Sequence, residues 1–322
     1  VTWTQADFSH GTYRITEPGL YVLGEDMEFS PNKANRGQPT EAQRAYGPYA
    51  GRAYSLGFFA AIAIECDDVT LDLRGHKLQQ STLHKRQQRF LALVELGSSP
   101  FPGGTGPADL GDQMKCSNVV VRNGMLGRSS HHGIHGNEPH SVLIEDLQIS
   151  GPEIAGISIN GATSCVIRHV ACKDIGKAEM KAKLSQAIFA LPFLKKIVEL
   201  RPNDIIRLAG VDRTVREVYG RLEQAVRSAT ETSPTAPKWL QTERGLVDGH
   251  VYGIVLAGRG LHIGEVKTGV QEDSNTQIVV HDCTIAIESL PKEIVAYPSP
   301  ELQDDKDKGL PSDGKASDAP YG

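Results

Sequence analysis

Three stretches of this 322-residue chain repeat one pattern at an interval of 23 residues. CSNVVVRNGMLG (116–127), GIHGNEPHSVLIEDLQIS (133–150) and GISINGATSCVIRHVACKDIG (156–176) alternate apolar and polar residues between turns at Gly and Asn. Val119, Val142 and Cys165 are equivalent, as are Val121, Ile144 and Ile167, and Gly133-Ile134 recurs as Gly156-Ile157. A period of this size marks a repeat architecture. One unit cannot bury its apolar face alone and must stack on its neighbours.

The pattern extends in both directions. AIAIECDDVTLDLRGHKL (61–78) carries Ile62 and Ile64 before Val69, Leu71 and Leu73. LVELG (93–97) opens a unit that closes with NVVVRNGML after the Gly/Pro-rich loop SSPFPGGTGPADLGDQ. YGIVLAG (252–258) and QIVVHDCTI (277–285) form the last unit, and Gly156 to Gly253 spans 97 residues, one period plus 74. Stacked at the inter-strand spacing of roughly 4.8 Å, the units place equivalent side chains in columns. Val121, Ile144, Ile167 and Val280 form one column, Leu126, Ile149, Cys172 and Ile285 another, and Ile134, Ile157 and Ile254 a third. The predicted fold is an all-β solenoid, a right-handed parallel β-helix of about five coils with an α-helical insertion.

DDVTLDLRGHKL, CSNVVVRNGML and SVLIEDLQI resemble the pectate-lyase-like superfamily of right-handed parallel β-helices, over 61–176 and 250–288. The resemblance implies a protein that acts on or binds an extended polysaccharide, with a lyase of acidic glycans among its forms. Carbohydrate-active β-helices carry an acidic trio, a calcium cluster or a Lys/Arg base, and the sequence shows neither of the first two. No cofactor or metal is therefore expected, calcium being the one the resemblance leaves open without a carboxylate cluster to support it. The alternative is a non-catalytic structural component of a larger assembly, such as a virion fibre or capsid or a cell-surface layer. The expected partners are an extended polysaccharide or neighbouring protein subunits, outside the cell or at a surface.

Around the coils (61–176 and a final one in 238–297) lie other kinds of segment. Within 1–60, GTYRITEPGLYVLGEDMEF (11–29) reads as two short strands about a Pro-Gly turn, capping an otherwise open sheet edge. Residues 30–55 read as a long loop. In the 177–237 insertion, Met180, Leu184, Ile188 and Leu191 recur at helical spacing, as do Val211, Val215, Val218, Leu222 and Val226. Asn203-Asp204 is placed to cap the second helix. Residues 298–322 are a polar, Pro/Gly-rich tail without period, expected to be disordered.

The net charge of −5 gives no electrostatic case for nucleic acid. The longest apolar runs, LGFFAAIAI and AIFALPFL, are too short to span a bilayer. The first residues lack the basic head and apolar core of a signal peptide, as a processed precursor also would. The five cysteines form no C-x-x-C pair, and Cys165, Cys172 and Cys283 occupy periodic apolar positions, where they read as core.

Polar positions stack in the same register. Arg122, Glu145, Arg168 and His281 form one outward column, and Asn123, Asp146, His169 and Asp282 the next. The first is read either as an ion-pair ladder or as a strip on which an acidic glycan lies. Arg122, Glu145 and His281 would then bind substrate, and Arg168 would neutralise a uronate carboxylate. RSSHHGIHGNEPH (128–140) is the densest titratable cluster. His131, His132 and His135, with His169, are the candidate acid–base residues. Alternation places His132 and His135 in different orientations, and no carboxylate sits at a spacing that would complete a zinc site.

Overall fold

The computed structural model describes residues 1–35, 37–101, 114–176, 182–208, 210–230, 252–257 and 275–286. The chain divides into two compact units, Val1–Lys177 with Val251–Glu288, and Ala178–His250 with Ser289–Gly322.

The first unit is mostly β and built on two parallel sheets. The shorter sheet contains Tyr13–Ile15, Ala60–Ile64, Ala92–Leu96, His132–Asn137, Ala155–Asn160 and Tyr252–Ala257, in that spatial order. The longer sheet runs through Thr2–Trp3, Gly19–Leu23, Val69–Asp72, Ser117–Leu126, His140–Ser150, Thr163–Lys173 and Thr276–His281. Met27–Phe29, Lys77–Gln80 and Thr284–Ala286 extend it alongside. From Tyr13 onward each short-sheet strand is followed in the chain by a long-sheet strand. We call each such pair a rung. This order is compatible with a solenoid.

On the long sheet, pairing follows the 23-residue interval from Val121 to Ile144 to Ile167 and from Leu126 to Ile149 to Cys172, and across the insertion it continues to Val280 and Ile285, each 113 residues on. Ile134↔Ile157↔Ile254 stack on the short one. The first three members of each long-sheet column are fully buried. Four successive long-sheet rungs bend at the same place through a residue of left-handed backbone. Asn123, Asp146, His169 and Asp282 have φ between 51° and 60°, a conformation that Asn and Asp adopt more readily than most side chains. The bend resets the alternation, so Ile144, Leu147 and Ile149 are all buried.

The segment expected to cap the sheets also extends them. Tyr13–Ile15 pairs in parallel with Ile62–Ile64, and Gly19–Leu23 and Met27–Phe29 pair with the next long-sheet strands. Closure at this end comes from aromatic rings. Trp3 lies 4.2 Å from Tyr13, 5.3 Å from Tyr21 and 5.9 Å from Phe8 between ring centroids. The expected loop at 30–55 contains a helix, Glu41–Ala45, capped reciprocally by Thr40 and Gln43. It also buries Tyr49, Ala53 and Tyr54. All five cysteines are free thiols, and Cys116, Cys165 and Cys172 are buried.

In the second unit, helix Ala182–Leu200 packs on helix Val215–Thr230 through Ala187, Ala225 and Val226, with Leu184, Ile188, Leu191 and Leu222 around them. The second helix starts at Val215, later than expected. Residues 205–214 instead form an antiparallel hairpin, Ile205–Leu208 with Val211–Thr214, turning at Gly210 (φ 75°). Asn203-Asp204 therefore does not cap the helix. Thr214 does: its Oγ1 accepts from Glu217 N and its N donates to Glu217 Oε2. Val211, at helical spacing by coincidence, lies in a strand and is exposed. Among the described residues no helix is long and apolar enough to cross a membrane. The 298–322 tail and most of the 98–113 loop lie outside the described residues.

Candidate functional site

The short sheet turns one set of side chains toward the core and the other away from it. Ile157 and Ile159 belong to the core with Ser158 between them, and Val94 and Leu96 with Glu95 between them. A Cβ on Gly136 would lie 2.7 Å from that of Leu96, so position 136 faces the core as well. Alternation then places His135 and Asn137 on the opposite side, with Glu95, Ser158 and Asn160. Cross-rung pairing makes Glu95↔His135↔Ser158 one column and Asn137↔Asn160 its neighbour.

These residues are polar, and covered. Glu95, His135, Asn137 and Ser158 are all buried, the least so being Ser158 at 8% exposed. His135 Nδ1 lies 2.8 and 2.9 Å from the two Glu95 oxygens. Nδ1 therefore carries a proton, and Nε2 is the second working atom of the ring. Burial raises the Glu95 carboxyl above its ordinary range, and His135 opposes the rise. Asn160 Nδ2 donates to Asn137 Oδ1 at 2.9 Å. Asn137 Nδ2 is buried with no hydrogen-bond partner.

The histidine cluster stands beside this column. His132 stacks on His135 with ring centroids 4.9 Å apart and planes 10° from parallel. The two were expected in different orientations, but the ladder passes from His132↔Ala155 to Ile134↔Ile157 without a pair at Gly133. That break in alternation brings both rings to one side. His131 packs on Phe90 at 4.9 Å, and its Nδ1 is 3.2 Å from that of His132. Burial, then the neighbouring His135 and Arg89, lowers His131 to about 3. Burial also takes His132 well below the usual imidazole range. Both rings are neutral near pH 7, so they can offer a hydrogen-bond donor or acceptor but resist protonation and add no cationic charge.

Behind the cluster, Glu153 is fully buried between two cations. Lys85 Nζ is 2.9 Å from its Oε1, and Arg89 donates to its Oε2. Gln80 completes the corner. Its amide donates to His84 Nδ1 and to the Gln88 carbonyl, and its Oε1 accepts from Ser130 N.

The remaining candidates lie on the other sheet. Arg168 donates twice to Glu145 Oε2, at 2.9 and 2.6 Å, and Arg122 pairs with Asp72 at 3.1 Å. His281 lies opposite Arg168 in the ladder. His169 Nδ1 is 3.2 Å from Asp146 and its Nε2 is 3.8 Å from Asp282. His281 hydrogen-bonds Asp282 at 2.7 Å and holds its carboxyl below the usual range. The structure thus brings together Arg168, Glu145, His169 and His281 on the long sheet, and His131, His132 and His135 on the short one. Of the histidines expected to handle the proton of a substrate whose carboxylate Arg168 neutralises, His169 shares the long sheet with Arg168, and His131, His132 and His135 lie on the short sheet.

Glu95, Ser158, Asn137, Asn160, Glu153, Lys85 and Arg89 were not among the sequence candidates. The register contained part of this signal: Ser158 is 23 residues beyond His135, and Val94 aligned on Ile134 puts Glu95 beside His135. The Glu153 triad had none, because residues outside the strands carry no period. Among the described residues no group of three or more His, Cys, Asp or Glu side chains is arranged to hold a metal ion. No protein-family model, curated protein or solved structure matches this chain.

Proposed function

We propose that the first unit is a right-handed parallel β-helix, and that the outward face of its short sheet acts on an extended polysaccharide. The observation that carries this reading is the Glu95–His135 pair, set in a column of polar residues that crosses consecutive rungs. A glycan running over such a column would present its substituents to a new side chain about every 4.8 Å. A histidine fixed through Nδ1 by a buried carboxylate is a general base with Nε2 free for substrate. Around it stand further hydrogen-bonding side chains, Asn137, Ser158 and Asn160, which suit the hydroxyls of a sugar. The link from fold to substrate class is analogy; the link from the dyad to proton transfer is chemistry.

The test is a panel of alginate, pectate, glycosaminoglycans and neutral and acylated glucans, scored for retention and for product, with and without calcium. Elimination from a uronate yields an unsaturated sugar that absorbs in the near ultraviolet. Activity on any member should fall at least about 100-fold in His135→Ala. No retention and no product across the panel would reject the reading.

A second reading, a structural part of an assembly, is favoured by the last rung. Val280 and Ile285 are 44% and 50% exposed, although their column partners are fully buried. Light scattering across a concentration series tests it, association being the expected result and a monomer throughout the contrary one.

A further inference from the structure

We infer that Ser158, His135 and Glu95 form a nucleophile–base–acid triad for ester cleavage, removing acyl groups from the hydroxyls of the polysaccharide. This rests on the polysaccharide reading for its substrate, and on the geometry alone for its chemistry.

The three residues occupy consecutive rungs of one column, in the order that proton transfer requires. Glu95 binds His135 Nδ1 and so fixes the tautomer with an unprotonated Nε2. Because Nδ1 is turned to the Glu95 rung, the opposite edge of the ring is turned to the rung of Ser158. Neither Nε2 nor the Ser158 hydroxyl is hydrogen-bonded to the other or to any described residue, so the reaction requires the two to close on each other when substrate binds. Asn137 supplies the remaining part. Its Nδ2 is a buried donor with no acceptor, on the face and strand of His135. An orphaned buried donor is destabilising, and such a cost is sustained where an acceptor arrives with the substrate. Asn160 holds the amide in place through Oδ1.

The reaction balances without metal or cofactor. Ser158 Oγ bonds to the ester carbonyl carbon while its proton passes to His135 Nε2. The oxyanion of the tetrahedral intermediate accepts from Asn137 Nδ2. The imidazolium, stabilised by Glu95, returns the proton to the departing sugar oxygen as the C–O bond breaks. Water, deprotonated by His135, then cleaves the acyl-serine to free carboxylic acid and Ser158. The enclosure of the column sets specificity. With every member less than a tenth exposed, the site admits a small acyl substituent and not a sugar ring, so acetyl esters are the favoured class.

The experiment uses a fluorophosphonate probe and p-nitrophenyl acetate on the full chain. Phosphonylation, with loss of fluoride, should map by peptide mass to Ser158, and Ser158→Ala should lose both label and turnover. His135→Ala and Glu95→Gln should slow both by at least about 100-fold, and circular dichroism reports whether each variant is folded. Asn137→Ala should lower acetate turnover with less effect on KM than on kcat. A folded wild type that takes no label at Ser158, or a label rate unchanged in His135→Ala, overturns the triad. Retention of wild type on a glycan without labelling would reject the esterase and leave the polysaccharide reading standing. Labelling without retention on any glycan would support the triad and reject the polysaccharide reading.

Discussion

Arg14 closes on Glu65 with its Nε 2.9 Å from each carboxylate oxygen, and the Glu65 side chain has no exposed surface. The two lie at the ends of adjacent short-sheet strands, so the pair links the first rung to the second. Glu65 holds the guanidinium above its already high range. Burial makes each partner dependent on the other, since a carboxylate without a counter-charge in this position has no water to turn to.

Arg14→Met should therefore destabilise the first unit by about 3–5 kcal/mol, the usual cost of stranding one member of a buried pair. Adding Glu65→Met should recover part of the loss. Urea unfolding of both single variants and the double variant measures it, and additive losses would show that the two groups are not coupled.

His84 predicts an acid limb. Its Nδ1 accepts from the Gln80 amide and its Nε2–H donates to the Gly37 carbonyl, so both nitrogens are satisfied in the neutral ring. Burial lowers its pKa from 6.5 to about 4. Below pH 6.5 the unfolded chain binds a proton that the folded protein refuses until about pH 4. Stability is thus full above pH 6.5 and falls as pH drops through that window. The shift corresponds to on the order of 3 kcal/mol. His84→Gln should be less stable at pH 7 but lose less between pH 6.5 and 4, as read by melting temperature across pH.

Two glycines should respond in opposite senses to alanine. A Cβ on Gly133 would sit 2.4 Å from the carbonyl oxygen of Gly156, backbone that cannot give way without opening the ladder. Gly133→Ala should cost several kcal/mol, on the scale of overpacking a core or more. Gly220 lies inside helix Val215–Thr230 with nothing within 4 Å of an added Cβ. Gly220→Ala should stabilise that helix by about 0.5–1 kcal/mol. Hydrogen exchange, resolved by segment, separates the two effects.

The inside and outside of the long sheet can be tested at neighbouring positions. Ile144→Asp buries an unpaired charge between Val121 and Ile167 and should cost more than about 4 kcal/mol, enough to lose the fold. Glu145→Gln keeps the shape of a side chain whose partner Arg168 is 41% exposed, and removes a charge without stranding another in the core, so it should cost about 1–2 kcal/mol. Equal losses would contradict the observed register.

Alternation and the 23-residue interval were enough to determine the pairing of Val121, Ile144, Ile167 and Val280, and of Ile134, Ile157 and Ile254. A side chain in a stacked strand has only two directions to face, and its partners are fixed by one repeat length plus the length of any insertion between rungs, which is how Ile157 reaches Ile254 and Ile167 reaches Val280. The same rule put Arg168 beside Glu145 and His281. Three things escaped it. His132 and His135 share a side because the ladder skips Gly133, a gap that recurs at Leu93 and Gly156 but that simple alternation does not reveal. Glu153, Lys85 and Arg89 meet from segments between strands, where contact depends on how the connections fold back. Val211 took its place in a hairpin despite helical spacing, because the left-handed turn at Gly210 pairs it with Leu208. Sequence fixed the columns because they depend on local geometry repeated; burial of the polar ones, which makes Glu95 and His135 a candidate site instead of a surface pair, depends on what the rest of the chain lays over them.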